Sequence, residues 1–206
     1  MIHGGFWRAR YDLTHASHLC AALAAAGLAV ANLEYRRVGE AGGGWPGSLE
    51  DVQRGVAAAH KFFGITPVVL GHSAGGHLAL RMASEQTEIK EVVALAPVAD
   101  LWLAYELNLS AGAVAEFLDA DPANSPEVLE AACASKHRVK VSTVLVHGTA
   151  DADVPIELSQ SYVAARRDDS HVNLLEIGGA DHFDLIDPES AAWPTVRECV
   201  LNVATR

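Results

Sequence analysis

Ser73 stands in Gly71-His72-Ser73-Ala74-Gly75, a Gly-x-Ser-x-Gly pattern entered from the apolar run Val68-Val69-Leu70. It is left through Gly76-His77-Leu78-Ala79-Leu80-Arg81-Met82-Ala83, helical in period and composition. A serine on so sharp a strand-to-helix turn has a strained backbone and an Oγ lifted off the end of a sheet. Glycines two before and two after let strand and helix pass without a Cβ clash. A hydroxyl at neutral pH attacks a carbonyl only when a base takes its proton. Imidazole, with an ordinary pKa of about 6.5, is the natural base. His182 offers one in Gly178-Gly179-Ala180-Asp181-His182-Phe183, a glycine-rich loop after an apolar run. An acid to orient that imidazole is available in His147-Gly148-Thr149-Ala150-Asp151-Ala152-Asp153-Val154-Pro155, at Asp151 or Asp153. Met1-Ile2-His3-Gly4-Gly5-Phe6-Trp7 supplies two glycines where backbone amides can turn toward an oxyanion. Together these residue types are the parts of an acyl-transfer site.

The elements that must position them alternate β and α. Helical patterns cover Asp12 to Ala26, Ser48 to about Phe63, Ala74 to about Gln86, Ile156 to Arg167 and Pro188 to Ala204. Strand patterns cover Leu28 to Tyr35, Val68 to Leu70, Glu91 to Pro97, Ser142 to His147 and Val172 to Ile177. Ser48 with Asp51 three residues on reads as a variant capping box. Near-continuous apolar strands separated by helices predict a mostly parallel sheet covered on both faces. In such sheets functional groups lie beyond the carboxyl ends of the strands, where each of the four loops above falls. Residues 101–140 are irregular, with Pro122 and Pro126, and read as a small cap-like insertion within one domain spanning 1–206. Its apolar residues, Trp102, Leu103, Tyr105, Leu107, Leu109, Phe117 and Leu118, suit either a wall over the serine or a hairpin packed for its own sake.

From His3 to His182 the chain resembles the α/β-hydrolase superfamily, whose triad order is Ser…Asp…His. His3-Gly4-Gly5-Phe6-Trp7 resembles the oxyanion loop of kynurenine formamidases and related small esterases, and Gly71 to Leu78 resembles their nucleophile elbow. His147-Gly148-Thr149-Ala150-Asp151 with Val154-Pro155 resembles the acid loop of dienelactone hydrolases and prolyl-oligopeptidase-type enzymes. The resemblance implies Asp151 as the acid, and an oxyanion hole built from the amides of Gly5, Phe6 and Ala74. In the family's sheet order the strand before the His3 loop lies between those at 28–35 and 68–70. Here it has only Met1-Ile2, which predicts a truncated or misassigned start, or a shrunken sheet. A stub there would leave neighbouring backbone groups unpaired, at about 1–3 kcal/mol for each buried one.

The bulk composition narrows the class. Of 206 residues, 50% are hydrophobic and 20% charged, ordinary for a globular domain. A net charge of −11 argues against nucleic acid or an anionic membrane as partner. Leu19 to Leu33 is uncharged, but Gly27 and Asn32 make it a helix end and a strand and not a bilayer span. Cys20, Cys133 and Cys199 are odd in number and far apart, suggesting neither disulfides nor a zinc site and fitting a cytoplasmic protein. Gly42-Gly43-Gly44 lacks the Gly-Lys-Ser/Thr of a phosphate loop. His3 reads as a brace for its loop, Trp7 as packing behind it, and His72 and His77 as packed around the elbow. His15, His18, His60, His137 and His171 read as surface or helix residues. An exposed strand edge or the 101–118 segment would support a homodimer.

The expected activity is therefore a carboxylesterase-like serine hydrolase acting on a small ester or activated amide, with no cofactor and no metal. Ser73 attacks, His182 moves the proton and Asp151 holds the imidazole. The alternatives are an arylformamidase cleaving N-formylkynurenine, a prolyl-oligopeptidase-like peptidase, and a non-catalytic hydrolase-fold binding protein.

Overall fold

A computed structural model describes residues 1–85 and 88–205. Four strands form one sheet: β1 (Val68–His72), β2 (Glu91–Leu95), β3 (Ser142–Gly148) and β4 (Val172–Ile177). They lie side by side in chain order, and every pair is parallel. Alternation along each strand divides the core in two. Val69, Val92, Ala94 and Leu145 face one apolar cluster, while Leu70, Val93, Leu95 and Val146 face the other. Successive side chains of a strand point to opposite faces, so both faces need a cover. One is covered by α2 (Gly47–Phe63) and α3 (Ala74–Glu85), through residues such as Val52, Leu78 and Met82. The other is covered by α1 (Ser17–Ala25) and a C-terminal helix (Trp193–Thr205), through Leu19, Leu23, Val196 and Val200.

The helices differ from the sequence reading at their ends. Asp12 does cap a helix, its carboxylate accepting the Thr14 amide, but the first turn, Leu13–Ala16, is 3-10 before α1 begins. Ser48 does not cap α2, which starts one residue earlier behind Pro46. The loop before it takes both expected capping groups. Ser48 Oγ donates to the Arg36 carbonyl at 2.6 Å, and Asp51 accepts from Arg36 Nε at 2.7 Å. At its other end α2 stops at Gly64 in the left-handed region. Gln86, the expected last residue of α3, lies outside the described residues. Between β2 and β3 run α4 (Leu101–Glu106), α5 (Ala113–Leu118) and α6 (Pro126–Ala132). Asp100 caps α4 by accepting the amides of Trp102 and Leu103. After β3 comes α7 (Glu157–Ala164), and the C-terminal helix is α8.

The strand expected at Leu28 to Tyr35 does not form. Ile2 sits between that segment and β1, as the sheet order predicted, but it makes single parallel bridges to Leu33 and Gly71. The rungs are Ile2 N–H to Leu70 O at 2.8 Å, His72 N–H to Ile2 O at 3.1 Å and Leu33 N–H to Met1 O at 2.9 Å. A ladder needs consecutive rungs on a neighbour, and two residues supply no more than these. The 28–34 segment is accordingly extended but partly exposed, so its backbone groups meet water and are not buried unpaired. Upstream of the Ile2 rung, Leu28, Val30, Phe63, Ile65, Val68 and Leu70 border an apolar recess of about 360 Å³.

Candidate active site

Three strand exits converge on Ser73. β1 ends in the turn itself, where Ser73 has φ 55°, a left-handed conformation that a residue with a side chain adopts only under constraint. The constraint is visible. The Ser73 amide donates to Leu95 O at 2.8 Å, and its carbonyl accepts from His77 N–H at 3.1 Å and Val98 N–H at 3.2 Å. The glycine after the turn is required by close approach: a Cβ on Gly75 would stand 2.2 Å from Ile2 O and 2.4 Å from His3 O. Here the oxyanion-loop backbone rests directly on the elbow.

On the other side of that contact, Gly5 (φ 109°), Phe6 (φ 49°) and Trp7 (φ 58°) run through the left-handed region in succession. Neither the Gly5 nor the Phe6 amide is spent on a backbone carbonyl among the described residues. Ala74 opens α3, so its amide has no carbonyl within the helix to bond. His3 braces the loop from below: Nδ1 bonds Gly4 O at 2.8 Å, Nε2 bonds Glu34 Oε1 at 2.9 Å, and the ring stacks on Tyr35 at 4.4 Å. Trp7 is fully buried behind the loop, stacked on Phe117 at 4.3 Å.

β3 delivers the acid. Asp151 Oδ2 accepts from His182 Nδ1 at 2.7 Å, while Oδ1 accepts the amides of Asp153 at 3.0 Å and Val154 at 2.8 Å. His147 Nε2 lies 3.4 Å from the same Oδ2 and 2.9 Å from Val154 O, its one proton shared between them. Burial on its own raises the Asp151 carboxyl. The hydrogen bonds from His147, His182 and the Val154 amide outweigh it and hold the group well below the usual carboxylate range. Asp153 is exposed and does not touch His182.

β4 delivers the histidine. His182 is almost fully buried, with its Nδ1 fixed by Asp151. Its main chain is fixed too, because His72 Nε2 donates to His182 O at 3.1 Å and the two rings lie 4.6 Å apart. Burial pushes His72 well below the ordinary imidazole range, with the His182 charge adding to it. A neutral His72 whose Nε2 carries the proton is what this bond requires.

Ser73 and His182 face one cleft of about 160 Å³, together with Gly5, Phe6, His72 and Phe183. A direct bond between Ser73 Oγ and His182 is not among the side-chain hydrogen bonds of the described residues. Such contacts are often long without substrate and tighten on binding. The sequence reading missed Arg8, Arg10, Tyr11, His15 and Ser110 as cleft residues. The two arginines and Tyr11 follow the His3–Trp7 motif immediately, which was the available signal. His15, read as a surface residue, lies 5.8 Å from His72, ring to ring. From residues 101–140 only Ser110 lines the cleft. Phe117 and Leu118 pack into the core, so the segment supports Trp7 and does not wall the serine. No group of three or more His, Cys, Asp or Glu side chains among the described residues is arranged to hold a metal ion.

Residues 1–165 match the model of the BD-FAE family. A truncated carbohydrate esterase from gut microbiota superposes with a TM-score of 0.82 at 21% identity, over 100% of this chain and 85% of that one. Esterase B of Lactobacillus rhamnosis, in an inhibited form, gives 0.78 at 20% identity over 99% and 75%. The monoacylglycerol lipase of Paleococcus ferrophilus gives 0.65 at 20% identity over 100% and 93%. At these identities the likeness is one of fold, that of the α/β-hydrolases. No match was found among curated proteins.

Proposed function

The chain belongs to the BD-FAE family, and from that membership we propose that it is a serine hydrolase cleaving small carboxylic esters. The observation that carries this is the 2.7 Å bond from His182 Nδ1 to Asp151, with His182 and the strained Ser73 facing one cleft. The esterase and lipase names of its structural neighbours support the same reading. In the reaction Ser73 Oγ attacks the ester carbonyl as its proton passes to His182 Nε2. Asp151 stabilises the imidazolium through Nδ1. The carbonyl oxygen, now an oxyanion, is received by the amides of Gly5, Phe6 and Ala74; removing one such donor typically costs about 3–4 kcal/mol of transition-state stabilisation. His182 returns the proton to the departing alkoxide, leaving an acyl-serine. Water, deprotonated by His182, then cleaves the acyl group and regenerates Ser73.

A cleft of about 160 Å³ suits a short acyl or leaving group. Three cysteines without a disulfide fit work in a reducing, cytoplasmic setting. A fluorophosphonate probe tests the proposal: it should label the wild-type protein and not Ser73→Ala. The turnover of p-nitrophenyl acetate, a long-chain ester, N-formylkynurenine and a peptide amide then ranks the substrates, with the short ester expected first. No labelling of folded protein, or equal labelling of Ser73→Ala, refutes it.

A further inference from the structure

The cleft contains charges that ester hydrolysis by itself does not use. Arg8, Arg10 and Asp153 line it beside Ser73 and His182. Arg8 is committed elsewhere. Its Nε donates to Glu116 Oε2 at 2.7 Å, Nη1 to Ser110 Oγ at 2.9 Å and Nη2 to Ser110 O at 2.8 Å. Arg10 is not. No carboxylate among the described residues pairs with it, and its guanidinium carbon lies 5.5 Å from the centroid of the Tyr11 ring. Tyr11 is itself anchored: it packs so closely on Gly5 that a Cβ there would stand 2.5 Å from the Tyr11 Cβ, and its carbonyl accepts from Arg37. The segment bearing Arg10 is thus held against the oxyanion glycine. Arg10 thus lines the same cleft as Ser73 in a protein whose net charge is −11.

From this unpaired cation we infer that the preferred ester carries a carboxylate of its own, a few atoms from the scissile carbonyl, and that Arg10 receives it. The inference rests on the serine-hydrolase reading and names the substrate class for that site. Size limits the candidates. A cleft of about 160 Å³ is about five water volumes, at roughly 30 Å³ each. The acyl part of a short dicarboxylic half-ester fits beside Ser73, with the leaving group toward the open side of the cleft. A guanidinium binds a carboxylate through two parallel N–H donors. Asp153 works against this attraction from the same cleft, so the preference is the balance of the two charges and each can be tuned separately.

The test compares kcat/KM of the whole protein for p-nitrophenyl hemisuccinate and p-nitrophenyl butyrate near neutral pH, with uncatalysed rates subtracted. An exposed, partly screened ion pair predicts about a fivefold preference for the charged ester. Arg10→Gln should bring the ratio to one or below, because Asp153 then acts alone. Asp153→Asn should raise it above wild type. Raising salt from about 0.05 to about 0.5 M should lower it. A wild-type ratio at or below one, or a ratio unchanged by Arg10→Gln, overturns the inference while leaving the hydrolase reading intact. If neither ester is cleaved, the hydrolase reading fails instead, and calorimetric titration with succinate decides the charge question alone. Binding that weakens in Arg10→Gln supports it, and no binding to wild type overturns it.

Discussion

Replacing Asp151 with Asn removes one charge and almost no volume, and the structure dictates which way the new amide must point. Asp151 Oδ1 accepts two backbone amides, those of Asp153 and Val154. Turning the Asn nitrogen toward them would set donors against donors and leave buried N–H groups unpaired, at about 1–3 kcal/mol each. The Asn oxygen therefore stays on the Oδ1 side, and its NH2 faces His182 Nδ1. That nitrogen must then present a lone pair, which puts the imidazole proton on Nε2, the atom that should accept from Ser73. The base arrives already protonated where it must be free. Enforcing the wrong tautomer in a triad costs about four powers of ten in kcat, equivalent to about 5.5 kcal/mol of barrier. The expected result is kcat/KM for p-nitrophenyl acetate lower by about 10³–10⁴-fold, with fluorophosphonate labelling slowed in parallel and the protein still folded by circular dichroism. Asp153→Asn should be mild by comparison, because Asp153 contributes its amide to this network and not its carboxylate. A variant at 151 retaining activity within about tenfold, or a larger loss at 153 than at 151, refutes the assignment of the acid.

Two further outcomes concern stability. His77 is fully buried, donates Nε2–H to Ala132 O at 2.9 Å, and burial lowers its pKa from 6.5 to about 4. Between those values the unfolded chain binds a proton that the folded state refuses, so stability present above about pH 6.5 is lost as pH falls toward 4. At 1.36 kcal/mol per unit the loss is about 3 kcal/mol from this residue. The gap between urea midpoints at pH 7 and pH 4.5 should narrow in His77→Gln, which keeps the donor but does not titrate, leaving the share of His72, and an unchanged gap would refute the account. Gly75→Ala should cost more than about 2 kcal/mol, because its Cβ meets backbone carbonyls that cannot rotate away. Gly64→Ala meets open space and should cost about 1 kcal/mol through its positive φ alone. Equal losses at the two positions would refute the contact argument.

The alternating pattern of apolar runs and helical periods was enough to place β1 to β4, because a parallel sheet buried on both faces leaves uninterrupted apolar strands. The residues proposed for the triad were legible for a related reason: each falls in the turn or loop after a strand, so chain order alone puts it beyond the carboxyl edge of the sheet. Leu28 to Tyr35 was misread because its composition is that of a strand, whereas strand formation depends on a neighbour long enough to pair with it. Ser48 and Asp51 were misread because a local capping pattern cannot reveal that Arg36, a dozen residues back, competes for both groups. Arg10 carries only its nearness to the His3–Trp7 motif as a signal, and His15 carries none. They enter the cleft through the tertiary path of the loop after Trp7, which no local pattern encodes.

The recess beside Ile2 leaves part of the β1 edge unpaired beside an apolar surface. Phe63 and Ile65 stand exposed at its border, and an open strand edge flanked by apolar side chains is a template for another extended chain. Lys90 is the charged side chain on its lining. That one lysine stands as gatekeeper against edge-to-edge association. An association-prone edge and the proposed nucleophile thus sit at opposite ends of a single strand: β1 begins at the apolar recess and ends at Ser73.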